Sequence, residues 1–581
     1  MAVENLITEH IDIWTSAIKT KSTSGRGSSK KLELYGVKKL RELILELAVR
    51  GKLVPQDPND EPASVLLERI AAEKAQLVKE KKIKKPKALP PINDSKPFQI
   101  PNNWGWSQLG FLTNYGVCDK LEPKDASPST WVLELEDVEK YTSRLLKKVR
   151  FEERVFKSTK NSFQKNDVIY GKLRPYLDKV LVADEDGACT TEMIPIRGYI
   201  GLIPEFIRLV LKTPYFIEYA NTSTHGMNLP RMGTDKARAA LFPLAPLNEQ
   251  HRIVAKVDEL MALCDQLEQQ TEASIEAHQV LVTTLLDTLT NSADADELMQ
   301  NWARISEHFD TLFTTEESID QLKQTILQLA VMGKLVPQDP TDEPAAELLK
   351  RIAEEKAQLV KDKKIKKQKA LPPIADDEKP FEVPNGWEWV NLQDITLLIT
   401  DGKHGDCNNH DGSGFYFLSA KDIQKGKLIY DHAREIVESE FEEVHQRTNL
   451  QAGDICMVNT GATVGKMAIA EEHHLTRKTT FQKSVAVIKC VKPYISSHYI
   501  ALFLESETPN LLKKSGGSAI NNLLLGDLKK KSTPLPPFSE QQKITQKVEA
   551  LLVICELLKA RLTESQTTQI HLTDVIAGQS V

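Results

Sequence analysis

The chain contains one block of sequence twice, and this duplication restricts its fold more than any other feature. Residues 51–92 align without gaps with residues 333–374, and 35 of the 42 aligned positions are identical. Both copies begin with Gly-Lys-Leu-Val-Pro-Gln-Asp-Pro. The copies start 282 residues apart, much farther than the roughly 20–45 residues of a solenoid repeat. The sequence therefore predicts a large unit that occurs twice.

The composition predicts a soluble, multidomain, intracellular protein. A chain of 581 residues with 41% hydrophobic and 27% charged residues is typical of globular proteins and has room for roughly three to five domains. We find no apolar run long enough for a membrane span and no secretory signal. Seven cysteines without a Cys-x-x-Cys pair disfavour disulfides and predict a cytoplasmic location. The net charge of −6 still leaves room for a local basic face.

Apolar periodicity around the first copy predicts several helices. The spacing indicates helices over residues 4–19, 36–50 and 62–82. A stretch rich in Ser, Gly and Lys at residues 20–31 is typical of a flexible connector. Gly51 follows the second helix as its expected C-terminal stop.

The two copies are each followed by a segment that does not repeat. Residues 107–240 and 390–532 resemble each other only weakly. Short β-branched runs at Val168–Tyr170, Val180–Val182 and Ser484–Ile488 predict strands. Each segment is therefore predicted to form a compact α/β domain of ordinary domain size.

Similarity returns after each variable segment. Pro243–Gln250 matches Pro534–Gln541, and both end in Glu-Gln. Apolar residues then alternate at spacings of four and three, as in a heptad seam: Ile253, Val257, Leu260, Cys264 and Leu267 in the first copy, and Ile544, Val548, Leu551, Cys555, Leu558 and Leu562 in the second. The matching seams favour an intramolecular helix pair, and the alternative is one apolar face of a domain helix.

The motifs that suggest enzyme chemistry do not meet the requirements for it. Thr460–Met467 resembles a phosphate-binding loop, but its glycines are one residue too close and Met467 replaces the Ser or Thr that would hold magnesium. We interpret it as a turn that presents polar side chains to a partner. A glycine motif for a dinucleotide or a methyl donor is missing as well, so the layout favours a binding scaffold.

Two kinds of basic segment are candidates for contact with nucleic acid. The turn Tyr170–Lys179 combines two Lys, one Arg and two Tyr around Gly and Pro, which suits a contact to backbone or base edges. Its alternative is an exposed hairpin turn. The lysine runs Lys79–Lys87 and Lys361–Lys369 are solvated helix ends or phosphate contacts. Because the two runs are nearly identical, they would serve a shared part and not sequence choice.

In these features the chain resembles the specificity subunit of Type I restriction–modification enzymes. The duplicated block, the Pro-Asn-x-Trp-x-Trp lead-in at Trp104 and Trp387, and the Glu-Gln exit into a long helix each occur twice. The turns Lys172–Tyr176 and Gly461–Lys466 complete the match. Together these motifs cover nearly the whole chain.

The resemblance implies an α+β multidomain fold with a pseudo-two-fold internal repeat. Two α/β target recognition domains would be joined by an antiparallel coiled coil of long helices. The expected parts are an N-terminal repeated helical region (1–103), target recognition domain 1 (104–245), a central repeated helical region (246–391) with a spacer helix at 247–290, target recognition domain 2 (392–536) and a C-terminal spacer helix (537–581).

The resemblance also implies a function. Each recognition domain would read one half of a bipartite DNA sequence, and the helices would fix the unread spacer between the halves. The candidate DNA-binding residues are Lys172, Arg174, Tyr176, Lys179, Asn228 and Arg231 in the first domain, and Lys403, His404, Thr460, Thr463, Lys466, Asn521 and Asn522 in the second.

The resemblance places the chemistry on other chains. Two methyltransferase subunits and two motor-nuclease subunits would assemble on the repeated parts, and S-adenosylmethionine, ATP and Mg²⁺ would belong to them. This chain would bind no cofactor or metal and would catalyse no reaction. Two rival functions stay open at this point: a scaffold whose variable domains bind proteins, and a nuclease or methyltransferase with an unrecognised site.

Overall fold

The computed structural model divides the chain into two compact units. Unit 1 comprises Met1–Ile275 and Glu564–Val581, and unit 2 comprises Glu276–Thr563. Both units mix helices with small sheets, which confirms the predicted α+β class, whereas the five domain boundaries stay predictions. The structure describes residues 3–22, 30–93, 96–226, 229–514 and 522–581.

Unit 1 begins with helices, continues through a strand-rich segment and returns to a long helix. Its helices are α1 Val3–Thr8, α2 Ile11–Ser16, α3 Tyr35–Val49, α4 Ala63–Lys79, α5 Leu109–Leu112, α6 Pro204–Leu211, α7 Pro214–Thr222, α8 Thr234–Ala239 and α9 Leu247–Thr290, which continues into unit 2. Its strands are β1 Ile18–Ser22, β2 Lys30–Leu34, β3 Gly105–Gln108, β4 Lys120–Leu121, β5 Trp131–Leu133, β6 Lys160–Phe163, β7 Val168–Gly171, β8 Val180–Val182, β9 Gly187–Cys189, β10 Met193–Ile196, β11 Thr224–His225, β12 Arg231–Met232 and β13 Leu241–Leu244.

Unit 2 follows the same order of parts. Its helices are α10 Ala295–Glu307, α11 Phe309–Leu312, α12 Glu316–Val331, α13 Ala345–Lys361, α14 Glu438–Thr448, α15 Ser497–Lys514, α16 Leu525–Lys529 and α17 Phe538–Ser580, which continues into unit 1. Its strands are β14 Glu388–Asn391, β15 Thr396–Asp401, β16 Tyr416–Leu418, β17 Ile423–Gln424, β18 Lys427–Leu428, β19 Ile455–Val458, β20 Met467–Ile469, β21 Thr479–Phe481, β22 Val485–Cys490 and β23 Ser532–Leu535.

The N-terminal segment differs from the prediction. Two short helices, α1 and α2, replace the single helix expected over residues 4–19. The expected connector at residues 20–31 has strand at both ends, because β1 pairs antiparallel with β2, and its residues 23–29 lie outside the described part. The fully buried Trp14 closes this region against α3, where a Cβ at Gly36 would come within 2.2 Å of the Trp14 carbonyl oxygen.

The duplicated Gly ends a helix in both units, as expected. Gly51 has φ +67° and Gly333 has φ +71°, a conformation that glycine adopts without strain. The N–H of Lys52 donates to the Leu47 carbonyl at 2.9 Å and the N–H of Gly51 donates to the Ala48 carbonyl at 3.3 Å, which is a Schellman motif. A Cβ on Gly51 would also come within 2.4 Å of the Pro101 ring, and a Cβ on Gly333 within 2.4 Å of the Pro384 ring.

Each variable segment leaves and re-enters the repeated part through one pair of strands. In unit 1, β3 pairs antiparallel with β13, so that Trp106 lies opposite Pro243. In unit 2, β14 pairs with β23, so that Trp389 lies opposite Pro534. Paired strands lie only about 5 Å apart, and each variable segment is therefore an insertion whose two ends are neighbours.

A buried glutamate joins three parts of the repeated frame. In unit 1, Trp104 donates its indole N–H to Glu249 Oε2 at 2.9 Å, and Gln56 of the duplicated block donates to Glu249 Oε1. The Glu249 side chain is 0% exposed. Burial raises its pKa, although the Trp104 and Gln56 hydrogen bonds oppose that shift. A buried carboxylate needs such donors, so this cluster fixes the duplicated block, the Trp lead-in and the exit helix together.

Unit 2 contains the same cluster. Trp387 donates to Glu540 Oε2 at 2.9 Å, and Gln338 donates to Glu540 Oε1 at 3.1 Å. Burial raises the pKa of Glu540, and the hydrogen bonds from Trp387 and Gln338 oppose the shift. We call each of these clusters a glutamate joint: Gln56, Trp104 and Glu249 in unit 1, and Gln338, Trp387 and Glu540 in unit 2.

The glutamine after each joint glutamate holds the inserted segment by its backbone. Gln250 Oε1 accepts the Ile203 N–H at 3.1 Å, and its amide donates to the Ala245 carbonyl at 3.0 Å. Gln541 Oε1 accepts the Ser496 N–H at 2.9 Å. The Glu-Gln exit motif therefore has two separate structural roles, one for each side chain.

The heptad seam of each long helix packs on a helix of its own unit. Ile253, Leu260 and Cys264 of α9 lie in one buried core with Leu40 and Ile44 of α3. At the edge of this contact, Arg41 of α3 pairs with Asp265 and Glu268 of α9, both at 2.6 Å. In unit 2 the α17 seam shares a core with α12. The seam residues therefore take part in the core of their own unit, and pairing of the two long helices along the seams stays a prediction.

Removing the indole N–H at the joint tests its contribution to stability. We expect Trp104→Phe to lower the free energy of unfolding of unit 1 by about 1–3 kcal/mol, because a buried acceptor loses its donor. Urea denaturation followed by circular dichroism measures this change, and Trp387→Phe should have the same effect on unit 2. The control is Trp302→Phe, whose ring is 40% exposed and whose replacement should change stability by under about 0.5 kcal/mol. Equal losses in Trp104→Phe and the control would contradict the role of the joint.

Candidate nucleic-acid interface

The candidate residues of unit 1 follow one end of the three-stranded sheet β10-β7-β8. At this end β7 stops at Gly171 and the chain turns through Lys172 to Tyr176. The N–H of Lys172 donates to the Glu192 carbonyl at 3.0 Å, and the N–H of Gly171 donates to the Lys179 carbonyl at 2.9 Å. The turn is therefore fixed by backbone hydrogen bonds, and its side chains are not needed to hold it.

A second segment reaches the same turn. The N–H of Met232 donates to the Lys172 carbonyl at 3.0 Å, and the N–H of Arg174 donates to the Pro230 carbonyl at 2.7 Å. These bonds place Arg231, which follows the β11–β12 connection, beside the turn. Two stretches that are far apart in sequence thus form one surface, which we call the unit 1 tip (residues 172–177 and 229–232).

The side chains of the unit 1 tip differ in their availability to a ligand. Arg174 is exposed with φ 51°, and Tyr176 is 43% exposed. Lys179 donates to the Leu135 carbonyl at 2.7 Å, and burial followed by repulsion from Lys140 lowers its pKa. Lys172, Arg174 and Tyr176 are therefore the side chains best placed for a partner.

Arg231 is held by a carboxylate at the tip. Its Nε donates to both oxygens of Glu192 at 3.0 Å, and this hydrogen bond raises the pKa of Arg231. The sequence analysis did not single out Glu192. Glu192 directly precedes the buried strand β10, and nothing in the sequence indicates that it pairs with Arg231. The pair aligns the guanidinium before any ligand arrives.

A buried ion pair lies beneath the unit 1 turn. Asp178 has φ 49° and accepts from Lys212 Nζ at 2.6 Å. Among the described residues, Asp178 Oδ1 has no hydrogen-bond partner. Burial raises the pKa of Asp178 to about 6, although Lys212 opposes the shift, and burial likewise lowers the pKa of Lys212. The Lys212 amine also donates to Ser143 Oγ at 2.7 Å, so it connects the turn with the neighbouring loop.

Unit 2 places its candidates at the corresponding end of a sheet. Its strand order β22-β19-β20 matches β10-β7-β8, and β15 extends the sheet beyond β22. At the end in question β15 stops at Asp401, β19 stops at Val458, β20 starts at Met467 and β22 starts at Val485. The segments around residues 403 and 460–466 therefore leave the sheet at one end.

Backbone hydrogen bonds connect these segments into the unit 2 tip (residues 402–404, 459–466, 482–484 and 522). The N–H of Lys403 donates to the Phe481 carbonyl at 2.8 Å, and the N–H of Asn459 donates to the Ser484 carbonyl at 3.0 Å. Thr460 Oγ1 donates to Asn522 Oδ1 at 2.9 Å. The sequence analysis did not single out Lys483, whose exposed side chain lies in this surface.

The available side chains of the unit 2 tip are fewer than the sequence suggested. Lys466 is exposed and Thr463 is half-buried. Lys403 pairs with Glu443 at 3.3 Å and Glu440 at 3.6 Å. Burial lowers the pKa of Lys403, but the Glu443 hydrogen bond and the negative charges nearby together outweigh burial, and the net shift is upward. Thr463, Lys466 and Lys483 are accordingly best placed for a partner.

The remaining candidates are engaged within the tip or lie outside the described residues. His404 Nε2 lies 3.1 Å from Asp401 Oδ2, and Thr460 and Asn522 hydrogen-bond each other as described above. Asn228 and Asn521 lie outside the described residues. The structure thus brings the described candidates of each unit to one sheet end, while a role for each in DNA binding stays a prediction.

The geometry defines a class of protein with two unlike binding tips on a repeated frame. Similar sequences are found among the specificity subunits of Type I restriction enzymes. A family model described as the Type I restriction modification DNA specificity domain matches residues 384–565. The chain is 42% identical to the Type I restriction enzyme EcoAI specificity subunit of Escherichia coli over 603 aligned residues, covering 100% of both chains. It is also 42% identical to the EcoEI specificity subunit of Escherichia coli over 613 residues, again covering 100% of both.

A solved structure shows the same fold. One chain of a structure described as showing complex assembly and conformational transition of the type I R-M system has a TM-score of 0.52 at 18% identity. The match covers 83% of this chain and 99% of that chain. At this identity the likeness concerns the fold alone.

This chain belongs to the family of Type I restriction enzyme specificity subunits. It is therefore a non-catalytic DNA-recognition subunit of a restriction–modification complex, and the function expected from the sequence is confirmed. Its partners are DNA and the other subunits of such a complex.

Within the described residues, every helix is too short or too polar to cross a membrane.

The raised pKa of Asp178 predicts how pH changes stability. The folded protein keeps the Asp178 proton up to about pH 6, whereas the unfolded chain releases it near pH 3.9, roughly. The free energy of unfolding should therefore fall as pH rises through this window. We expect Asp178→Asn to flatten the fall by up to about 1.4 kcal/mol per pH unit, measured by urea denaturation at several pH values.

The matched control has the opposite sign. The hydrogen bond from Lys148 lowers the pKa of Asp184, so Asp184→Asn should remove stability that is present at neutral pH and lost in acid. An unchanged pH profile in Asp178→Asn would contradict the assignment of the proton to Asp178.

Proposed function

We propose that each tip reads one half of a bipartite DNA target. The observation that supports this proposal is the placement of the unlike turns. The two units share the glutamate joint and the hydrogen bonds by which Gln250 and Gln541 hold the backbone of the inserted segment. Their tips, in contrast, are built from different side chains. This contrast supports reading of the two half-sites by the two tips.

The chemistry of the tips suits a DNA duplex. Arg174 and Lys172 supply charge for phosphates or for the O6 and N7 acceptors of guanine, and Tyr176 supplies an exposed ring. In unit 2, Lys466 supplies the charge and Thr463 a hydroxyl that donates or accepts. Because backbone hydrogen bonds hold both turns, substitution of the exposed side chains leaves the turns intact.

The rest of the complex is part of the same proposal. The long helices α9 and α17, each of which contributes to both units, fix the length of the unread spacer. Two methyltransferase subunits and two motor-nuclease subunits assemble on the repeated parts in the cytoplasm. S-adenosylmethionine, ATP and Mg²⁺ are bound by those subunits, so that this chain alone transfers no methyl group.

Exchange of one recognition domain tests the division of labour. Residues 107–240 are replaced by the corresponding segment of another specificity subunit, and the methylated sites in DNA from cells carrying the complex are mapped. We expect one half of the recognised sequence to change and the other half to stay the same, because the ends of the insertion are neighbours in a strand pair. The matched exchange of residues 390–532 should change the other half. A target that is unaltered in both exchanges would support a protein-binding scaffold instead.

Single substitutions at the tips locate the reading surface. We expect Arg174→Ala to weaken binding to the mapped target by about 1–3 kcal/mol and to relax preference in one half-site, and Lys466→Ala to act on the other half. Fluorescence anisotropy with half-site variants of the duplex measures both effects. Lys350→Ala, which removes an exposed charge from α13, is the control. If both tip variants lost affinity at the same half-site, the assignment of one half to each unit would be wrong.

A further inference from the structure

The duplicated lysine runs, Lys79–Lys87 and Lys361–Lys369, lie outside the tips and have no part in the reading of DNA proposed above. The helix α4 ends at Lys79 and its counterpart α13 ends at Lys361, and an exposed basic stretch follows each. Some of these lysines are neutralised locally, since Lys82 pairs with Glu80 at 2.8 Å. In the described part of the chain, nine exposed lysines of the runs form no ion pair: Lys79, Lys81, Lys84, Lys85, Lys361, Lys363, Lys366, Lys367 and Lys369.

In unit 1 the run lies against the helix that follows the tip. Lys87 Nζ pairs with Asp235 Oδ2 of α8 at 2.7 Å, and Arg238 Nη2 donates to the Lys87 carbonyl at 3.0 Å. Asp235 comes four residues after Arg231 of the tip, so their Cα atoms are at most about 14 Å apart. The run therefore ends against a short helix that begins shortly after the unit 1 tip.

Unit 2 attaches its run in the same way. The side chain of Gln393 donates to the Lys369 carbonyl at 2.8 Å, and its N–H donates to the Lys529 carbonyl of α16 at 3.1 Å. The helix α16 starts at Leu525, three residues after Asn522 of the unit 2 tip. The run is thus connected directly to α8 in unit 1, and through Gln393 to the corresponding helix α16 in unit 2.

The short helices add positive charge to the runs. Lys236 is exposed on α8, and Lys530 is exposed at the end of α16. The carboxylate of Asp235, which faces the unit 1 run, is already paired with Lys87, and an exposed pair of this kind is weak. The lysines of the runs and of the short helices therefore add positive charge beside each tip, partly offset in unit 2 by the exposed Asp527 of α16, although the whole chain has a net charge of −6.

We propose that the two lysine runs are phosphate clamps, which hold the DNA backbone beside each tip without reading its sequence. The proposal rests on the proposed reading of DNA by the tips and adds a second, sequence-independent contact. The unpaired amines of the runs offer point charges for phosphates, but no rigid fork for base edges. The near-identity of the runs fits this role, because the phosphate backbone is the same in both half-sites.

Salt dependence tests the clamps directly. Binding of the full-length chain is measured by anisotropy on a random-sequence duplex and on the duplex with the mapped target, from low to physiological salt. For Lys366→Ala/Lys367→Ala we expect the slope of log affinity against log salt to become shallower by about 0.9 per lost phosphate contact. The loss should be equal on both duplexes. Lys84→Ala/Lys85→Ala should behave alike in unit 1.

The control removes the same charge from another surface. Lys547→Ala/Arg561→Ala takes two exposed cations from α17 and should leave the slope unchanged. Circular dichroism verifies the fold of every variant. An unchanged slope in Lys366→Ala/Lys367→Ala, or a loss confined to the target duplex, overturns the clamps. Equal binding of both duplexes by the wild-type chain would refute sequence reading by the tips, while the slope on random DNA would still decide about the clamps.

Discussion

The fold of each unit depends on a carboxylate that is buried with its donors. Glu249 and Glu540 are 0% and 1% exposed, and a carboxylate removed from water is costly unless hydrogen bonds replace its hydration. The donors come from a helix-ending block and from the Trp lead-in, parts that lie far away in sequence. Satisfying one group therefore brings three segments together. The same requirement explains why Gln, Trp and Glu recur at both positions while the segments between them diverge.

This division of structural labour leaves the tips free for recognition. The turns at Lys172 and Thr460 are held by the backbone, so their side chains do not carry the fold. Carboxylates such as Glu192 and Glu443 orient cations at the tips, and a cation aligned before binding loses less freedom when a ligand arrives. If the lysine runs are the phosphate clamps proposed above, they supply the charge that positions DNA separately from the tips. Affinity and selectivity would then have different physical sources in this chain.

Local chemistry determined how much of this structure could be predicted from the sequence. The stop at Gly51 and the strand at Val168 were predictable, because a glycine after a helix and a β-branched run act through their own backbone. The β1–β2 hairpin was missed, because its stability depends on a partner strand that a local pattern does not reveal. The heptad seam indicated an apolar face but not what covers it, and α3 covers it in unit 1. Likewise, no sequence signal paired Glu192 with Arg231.

The backbone hydrogen bonds made by Gln250 in unit 1 and by Gln541 in unit 2 have a consequence for the evolution of such chains. Each glutamine binds a main-chain N–H of the inserted segment, at Ile203 and Ser496, and every residue except proline has this group. These two contacts therefore survive when the inserted segment drifts or is replaced by recombination. Contacts such as that between the rings of Phe206 and Trp104 depend on side chains, so an exchanged segment has to keep the apolar residues that face the frame.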